Sequence, residues 1–317
     1  MLPKVYIDGH VGTTGLRIGE WIRQREDIEV LTLPEDARRN ETARKDILRQ
    51  ADLAILCLPD DAARQVANWI ADDDTRVIDT STAHRVASGW VYGLPELDTV
   101  EKSAIRKARR VANPGCYPSA FLLLVRPLVD AGILHKRTPI SIHALSGYSG
   151  GGRGMIEKWE NPANDLRSLV YEAPYALDRE HKHVAEMKKY SLLAHSPQFV
   201  PAVGRFRCGM RIQVPLHSQH LRRGAVGAVY DTLAAKYKNE PFVKVAPRRV
   251  SGQADERSFD PEECNGTNNV IIHVKEHASG HVLLVALLDN LGKGACGAAL
   301  QNMNLMLGFS ETAGLPR

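Results

Sequence analysis

Gly9-His10-Val11-Gly12-Thr13-Thr14-Gly15 comes directly after the apolar run Lys4-Val5-Tyr6-Ile7-Asp8, and the pairing of the two decides the fold. The apolar run reads as a buried strand over 4–8, and residues 15–25 read as an amphipathic helix. A GxxGxxG turn between strand and helix lets the backbone approach a pyrophosphate, whose charge then rests beside unpaired N–H groups at the helix N-terminus. Gly9, Gly12, Thr13, Thr14 and Gly15 are therefore the first cofactor candidates. A tight turn without a ligand would use the same glycines, so its meaning depends on the downstream sequence.

Downstream, strands and helices alternate. Short apolar runs at 29–33, 53–58 and 76–79 read as strands, separated by helical stretches at 40–50 and 60–70, the latter capped by Asp60. Strands alternating with helices of about ten residues give right-handed βαβ units and a parallel, doubly wound sheet. Past residue 120 the pattern changes. A helix over 120–131 leads to a strand over 139–144 and then to a Gly-dense stretch read as a loop, Ser146-Gly147-Tyr148-Ser149-Gly150-Gly151-Gly152-Arg153. Longer strands at 209–216, 269–276 and 282–288, a helix near 222–236 and a final helix over 293–307 complete the chain. The expected architecture is an α/β Rossmann-type domain joined to an α+β domain with a mixed or antiparallel sheet.

Composition narrows the function class. The chain has 317 residues, 44% hydrophobic and 25% charged, with a formal net charge of +4. That suits a soluble protein large enough for two domains. Basic residues are interspersed with acidic ones, so no stripe points to nucleic acid or to a membrane surface. The N-terminus lacks a signal-peptide pattern, and no apolar run is long enough to span a bilayer. Cys57, Cys116, Cys208, Cys264 and Cys296 are odd in number, widely spaced and form no CxxC pair. The expectation is a reduced, cytoplasmic protein without disulfides or a zinc site.

Within that frame a few residue groups carry chemistry. Glu35 and Asp36, able to hold a ribose 2′-hydroxyl, stand beside Arg38 and Arg39, able to accept a 2′-phosphate. The paired arginines favour NADP over NAD, against the alternative of a solvated charged loop. Pro59 and Ser81, just beyond the third and fourth strands, are counted with the cofactor contacts. In Asn113-Pro114-Gly115-Cys116-Tyr117-Pro118, Pro118 fits the first turn of a helix, which places Cys116 at a helix N-terminus. The dipole and free amides there favour a thiolate, the nucleophile that thioester chemistry needs. Cys57 lies inside an apolar strand and reads as a small core residue, as cysteines usually do. His181-Lys182-His183 could supply a proton donor titrating near neutrality, or could be a solvated turn. No third ligand stands at metal-binding spacing, so no metal is expected. The stretch over 146–153, with Arg153, is either a plain connection or an anion-holding loop. Asn290, at the head of Asp289-Asn290-Leu291-Gly292-Lys293-Gly294, offers an amide to a flat ring such as nicotinamide.

Together these blocks, with Tyr92-Gly93-Leu94-Pro95-Glu96-Leu97 and Gln301-Asn302-Met303-Asn304, make the chain resemble the shorter type of the N-acetyl-gamma-glutamyl-phosphate reductases, an arginine-biosynthesis family. A looser kinship with aspartate-semialdehyde and glyceraldehyde-phosphate dehydrogenases concerns architecture. The resemblance implies a dinucleotide-binding domain from residues 1–117 with 290–317, and a catalytic, substrate and oligomerisation domain over 118–289. It implies Cys116 as nucleophile, His181 as acid and base, and Asn113, Ser146, Gly147, Arg153 and His183 in the substrate region. It further implies NADPH as cofactor, an acyl phosphate and phosphate as small-molecule partners, and a homodimer or homotetramer. The segment at 34–39 departs from the Ser-Arg type of longer members. Two rivals stay open on the residues alone: a related reductase acting on an aspartyl or aminoadipyl phosphate, and a non-catalytic nucleotide sensor.

Overall fold

The computed structural model describes residues 1–248 and 258–317. They form two compact units, one from Met1–Pro114 with Ala295–Leu315, the other from Gly115–Gly294 with Pro316–Arg317. Among the described residues no helix is long and apolar enough to cross a membrane.

The first unit holds β1 (Lys4–Asp8), α1 (Thr13–Ile22), β2 (Glu29–Leu31), α2 (Glu41–Gln50), β3 (Leu53–Leu56) and α3 (Asp60–Trp69). It continues with β4 (Arg76–Asp79), β5 (Val91–Tyr92), α4 (Thr99–Lys107) and β6 (Arg110–Ala112). The strands lie in the order β2-β1-β3-β4-β6-β5 and every pairing is parallel. The strand order reverses direction across β1 and β3, as a doubly wound sheet requires. Tyr6, Ala54, Leu56, Leu48, Val66 and Val77 build a core on one face. A Leu or Val taken fully out of water there contributes about 1.5–3 kcal/mol.

Asp60 is the first residue of α3, not its cap; Pro59 holds the cap position. The Asp60 carboxylate instead accepts the N–H and hydroxyl of Thr82, tying α3 to the loop after β4. The φ of −59° at Pro59 is the one its ring imposes, and its missing N–H costs nothing ahead of a helix.

The second unit opens with α5 (Cys116–Asp130), whose middle, from Ala120 through Val125, is wholly inaccessible to solvent. Then come β7 (Ser141–Gly147), α6 (Gly152–Glu160), β8 (Ala173–Pro174), α7 (Val184–Ser191), β9 (Gln198–Gly204) and β10 (Met210–Leu216). The unit ends with α8 (Val226–Tyr237), β11 (Val243–Val245), β12 (Val270–Glu276) and β13 (Val282–Leu288). Its sheet runs β11-β12-β13-β10-β7-β9-β8 and is mixed, with β7–β9 and β11–β12 parallel and the other pairs antiparallel. The architecture expected from the sequence is the one found.

The stretch over 146–153 is not the loop its glycines suggested. Ser146 and Gly147 end strand β7, and Gly152 already belongs to α6. Gly147 lies opposite Gly204 in the ladder, with the Arg207 backbone passing so close that no side chain would fit. Glycine there signals crowding, not looseness. After β13 a π-helical turn (Gly292–Cys296) leads into α9 (Gly297–Leu307), which belongs to the first unit.

Beyond β10, His220 accepts the His217 N–H through Nδ1, and His281 accepts the Ser218 N–H through its own Nδ1. Burial, and then the neighbouring His217, hold the His220 pKa below its ordinary 6.5. A histidine depressed in the folded state takes up its proton first in the unfolded chain. Its contribution is therefore intact above about 6.5 and is lost as pH falls below that value. The melting temperature of His220→Asn should fall less between pH 7.5 and pH 5.5 than that of the parent chain. An identical pH slope in thermal scans counts against this linkage.

Candidate active site

In the first unit the chain turns at Gly9, whose φ of +86° puts it where other residues are strained. A Cβ on Gly9 would meet the Cys57 carbonyl oxygen, and one on Gly15 would meet the oxygen of Gly9. The turn is closed by Gly12 N–H donating to Gly9 O at 3.0 Å. Gly12 caps α1 without any side chain, and no acidic residue stands in the first turn. The opening N–H groups, at Thr13, Thr14 and Gly15, are left to an incoming anion, which the dipole also favours.

Further along the sheet edge, β2 ends at Leu31, two residues earlier than the pattern suggested. Arg38 lies 3.5 Å from Glu35, so the two groups that would choose between NADP and NAD contact each other. Arg39 is exposed. Ser81 is nearly buried, and both its N–H and hydroxyl bind the Asp79 carboxylate at 2.9 and 2.8 Å. Asn113 gives its amide to Ala295 O at 2.9 Å and accepts from Asn302 at 3.2 Å. Its side chain ties the end of β6 to the returning C-terminal segment.

In the second unit Cys116 is the first residue of α5, half-buried, with Gly115 as cap and no side-chain capping bond. Gly294 approaches it so closely that a Cβ there would lie 2.7 Å from the Cys116 Cβ. Tyr117, the next residue, is buried and meets the rings of His181 and His183 edge-on, with centroids 5.9 and 5.7 Å apart. Its hydroxyl accepts from Tyr175 at 3.2 Å, and the Tyr175 hydroxyl also lies 3.5 Å from His181 Nε2. The His183 backbone N–H donates to His181 Nδ1 at 3.2 Å. That bond leaves the proton of a neutral His181 on Nε2, on the Tyr175 side.

The tyrosines also report on the thiol. Burial first, and then the charges of Tyr175 and Cys116, push Tyr117 well above its ordinary range. Tyr175 is pushed up to about 12, mainly by burial, against the lowering effect of its bond with Tyr117 and with Cys116 adding to the rise. A Cys116 thiolate is thus close enough for both phenols to feel it, and both stay protonated at neutral pH. Ser146 is buried and donates its hydroxyl to Gly147 O at 3.0 Å. Asn290 spends its amide inside the same unit, accepting from Gly209 N–H at 2.7 Å and donating to Ser149 Oγ at 2.9 Å. Arg153 stands apart in solvent, 82% exposed and 2.7 Å from Glu157.

A nucleotide-type turn and a helix-start cysteine whose neighbour Tyr117 packs on two histidines suit several dehydrogenases; similarity to known proteins separates them. The protein called N-acetyl-gamma-glutamyl-phosphate reductase in Allorhizobium ampelinum is 46% identical over 310 residues, 97% of this chain and 99% of that one. The chain belongs to the N-acetyl-gamma-glutamyl-phosphate reductases. Nostoc sp. has a protein called N-acetyl-gamma-glutamyl-phosphate reductase 2 that is 44% identical over 319 residues, 99% of either chain. Two family descriptions also match: "Semialdehyde dehydrogenase, NAD binding domain" over residues 15–107 and "Semialdehyde dehydrogenase, dimerisation domain" over residues 116–290. The crystal structure of aspartate semialdehyde dehydrogenase II from Vibrio cholerae superposes with a TM-score of 0.74, covering 97% of this chain and 99% of that one. At 18% identity it shares the fold alone.

Like its reductase relatives, this chain is an oxidoreductase, and two groups near its cysteine escaped the sequence pattern. Tyr175 lies on an irregular segment with no periodicity to mark it. Glu186 did leave a signal. It falls on the packed side of α7 with Val184 and Met187, where an unpartnered carboxylate would be costly. Its Oε2 accepts the Gly115 N–H at 3.1 Å.

Proposed function

We propose that this chain reduces N-acetyl-gamma-glutamyl phosphate to N-acetylglutamate semialdehyde and phosphate with NADPH, through a thioester on Cys116. The observation that carries the reading is Cys116 at the uncapped start of α5, its neighbour Tyr117 packed against His181 and His183. The helix terminus stabilises a thiolate. That thiolate attacks the acyl carbon, forming a C–S bond while the bond to the phosphate oxygen breaks and phosphate leaves with the electron pair. A bound dihydronicotinamide supplies the hydride that the thioester accepts. His181, once charged as an imidazolium, gives its Nε2 proton to the thiohemiacetal oxygen, and the neutral ring takes a proton back as the C–S bond breaks, restoring the thiolate and releasing the aldehyde. His183 packs beside His181 and serves the substrate, as does Ser146 at the end of β7.

The turn at 9–15 fits the cofactor, since its uncapped helix start and acid-free first turn suit a pyrophosphate. We assign the 2′-phosphate to Arg38 and Arg39. The Arg38→Ala/Arg39→Ala double variant should raise KM for NADPH about tenfold, the scale of one charge-assisted hydrogen bond, and leave KM for NADH unchanged. Equal rises for both cofactors, or none, would remove the arginines from that role.

We also read the chain as a cytoplasmic homo-oligomer. Five free cysteines, one of them the nucleophile, call for a reducing compartment. Residues 116–290 match a domain described as serving dimerisation. The whole reading is tested by steady-state turnover with N-acetylglutamate semialdehyde, phosphate and NADP or NAD in parallel, with aspartate semialdehyde as a competing substrate. Preference for the N-acetylated aldehyde with NADP is expected. Preference for aspartate semialdehyde would overturn the substrate assignment.

A further inference from the structure

Glu186 is 1% exposed, a carboxylate placed where water cannot serve it. A buried charge is held only when polar groups around it compensate for the lost hydration. One such group here is the Gly115 N–H, 3.1 Å from Oε2. Gly115 is the cap of α5, and Cys116 is the first residue of that helix, so the bond falls one residue ahead of the thiol. On the other side, Glu186 lies three residues after His183, which caps α7, and five after His181. The carboxylate therefore ties the turn presenting the nucleophile to the helix that the histidines lead into.

The rest of that turn leaves it little freedom. The Gly115 carbonyl takes both the N–H and the hydroxyl of Ser119 at 2.9 Å, as α5 begins. The Gly294 backbone crowds the Cys116 Cβ from another side. The Gly115 N–H looks backward, away from the helix, and Glu186 receives it. Losing that acceptor leaves a buried donor unsatisfied, which the peptide can relieve only by rotating, and rotation there moves Cys116.

We propose that Glu186 is a positioning residue for the Cys116 nucleophile, acting through the Gly115 N–H to hold the thiol in register with the histidines at the start of α7. The inference rests on Cys116 being the reactive thiol. Reach is what matters in this role. Glutamine keeps an acceptor oxygen at the same distance, whereas aspartate keeps the charge but is one methylene too short.

The test is the rate at which iodoacetamide alkylates Cys116, followed by peptide mass, alongside kcat, KM and NADP affinity. Glu186→Ala should slow Cys116 alkylation and lower kcat by about tenfold or more, with KM and NADP affinity little changed. A misplaced attacking atom costs that much even when binding is intact. Glu186→Gln should restore both rates to within about threefold of the parent, and Glu186→Asp should behave like the alanine variant. Should the alanine variant fail to fold, the glutamine and aspartate pair decides alone. Alkylation at the parent rate in Glu186→Ala, or an aspartate variant equal to the parent, overturns the proposal. Alkylation requires no substrate. Absence of turnover in the parent chain would count against the reductase reading and leave this inference standing or falling on the alkylation rates.

Discussion

Cys116→Ser is expected to bind NADP as the parent chain does and to lose about a thousandfold or more of its turnover. The magnitude comes from removing the atom that forms the covalent intermediate, after which only binding and charge stabilisation remain. The substitution is conservative in shape. Serine keeps the Cβ that faces Gly294 and carries a smaller atom on it, so the packing there is not worsened, and α5 keeps its buried body. Serine keeps the Cβ and the polarity of the side chain and leaves the glycine turn at Gly9–Gly15 untouched, so cofactor affinity should stay within about twofold. Chemistry makes the difference. A serine hydroxyl is not ionised near neutral pH and no helix terminus brings it close, whereas a thiol is.

Two measurements accompany the rate. Offered the acyl phosphate without nicotinamide, the parent protein should gain the mass of one acyl group on Cys116, and the serine variant should not. Iodoacetamide near neutral pH should label Cys116 well ahead of Cys57 and Cys264, whose thiols desolvation pushes up to about 12. Turnover of the serine variant above a tenth of the parent, or equal labelling of all five cysteines, would remove Cys116 from the nucleophile's role.

Much of the fold was legible because the first unit repeats one device. Each apolar run of four or five residues is flanked by a helix whose buried face recurs at helical spacing, as Ala63, Val66 and Ala67 do on α3. The short strands β5, at the edge, and β6 beside it went unseen, since two or three residues carry no period. The second unit was legible where strands are long, at β10, β12 and β13. It was illegible between residues 146 and 204, where glycines end a strand and open a helix within a few positions. Leu192 there ends α7 in a left-handed conformation that a Gly would normally mark.

The cysteine could be read in advance because its evidence is local: a proline two residues on and a glycine before it predict a helix start. The groups around it could not, because their contacts are not local. Gly115 finds its acceptor 71 residues away, and Tyr117 finds its phenol partner 58 residues away. The sequence contains those residues, but only the packing of α7 and β9 against α5 makes them neighbours.

His181 is where that packing has the next largest consequence. His181→Ala should lower kcat about a hundredfold or more, with KM for the aldehyde nearly unchanged, because a general acid and base acts in the transition state and binds little. The geometry gives the role to one nitrogen. His181 Nδ1 accepts the His183 N–H, so Nε2 holds the exchangeable proton, and the Tyr175 phenol in reach of it stays protonated to about 12. Tyr175 can orient the imidazole but cannot compete for its proton near neutrality. The limb of the pH–rate profile that reports an imidazole should therefore disappear in His181→Ala and survive in Tyr175→Phe, which loses the orienting bond and the bond to Tyr117. His183 offers a control. It is 6% exposed and caps α7, so His183→Ala should disturb stability and substrate affinity more than the proton-transfer limb. A profile unchanged in His181→Ala but flattened in His183→Ala would exchange the two assignments, and with them the direction from which the proton reaches the oxygen of the intermediate held on Cys116.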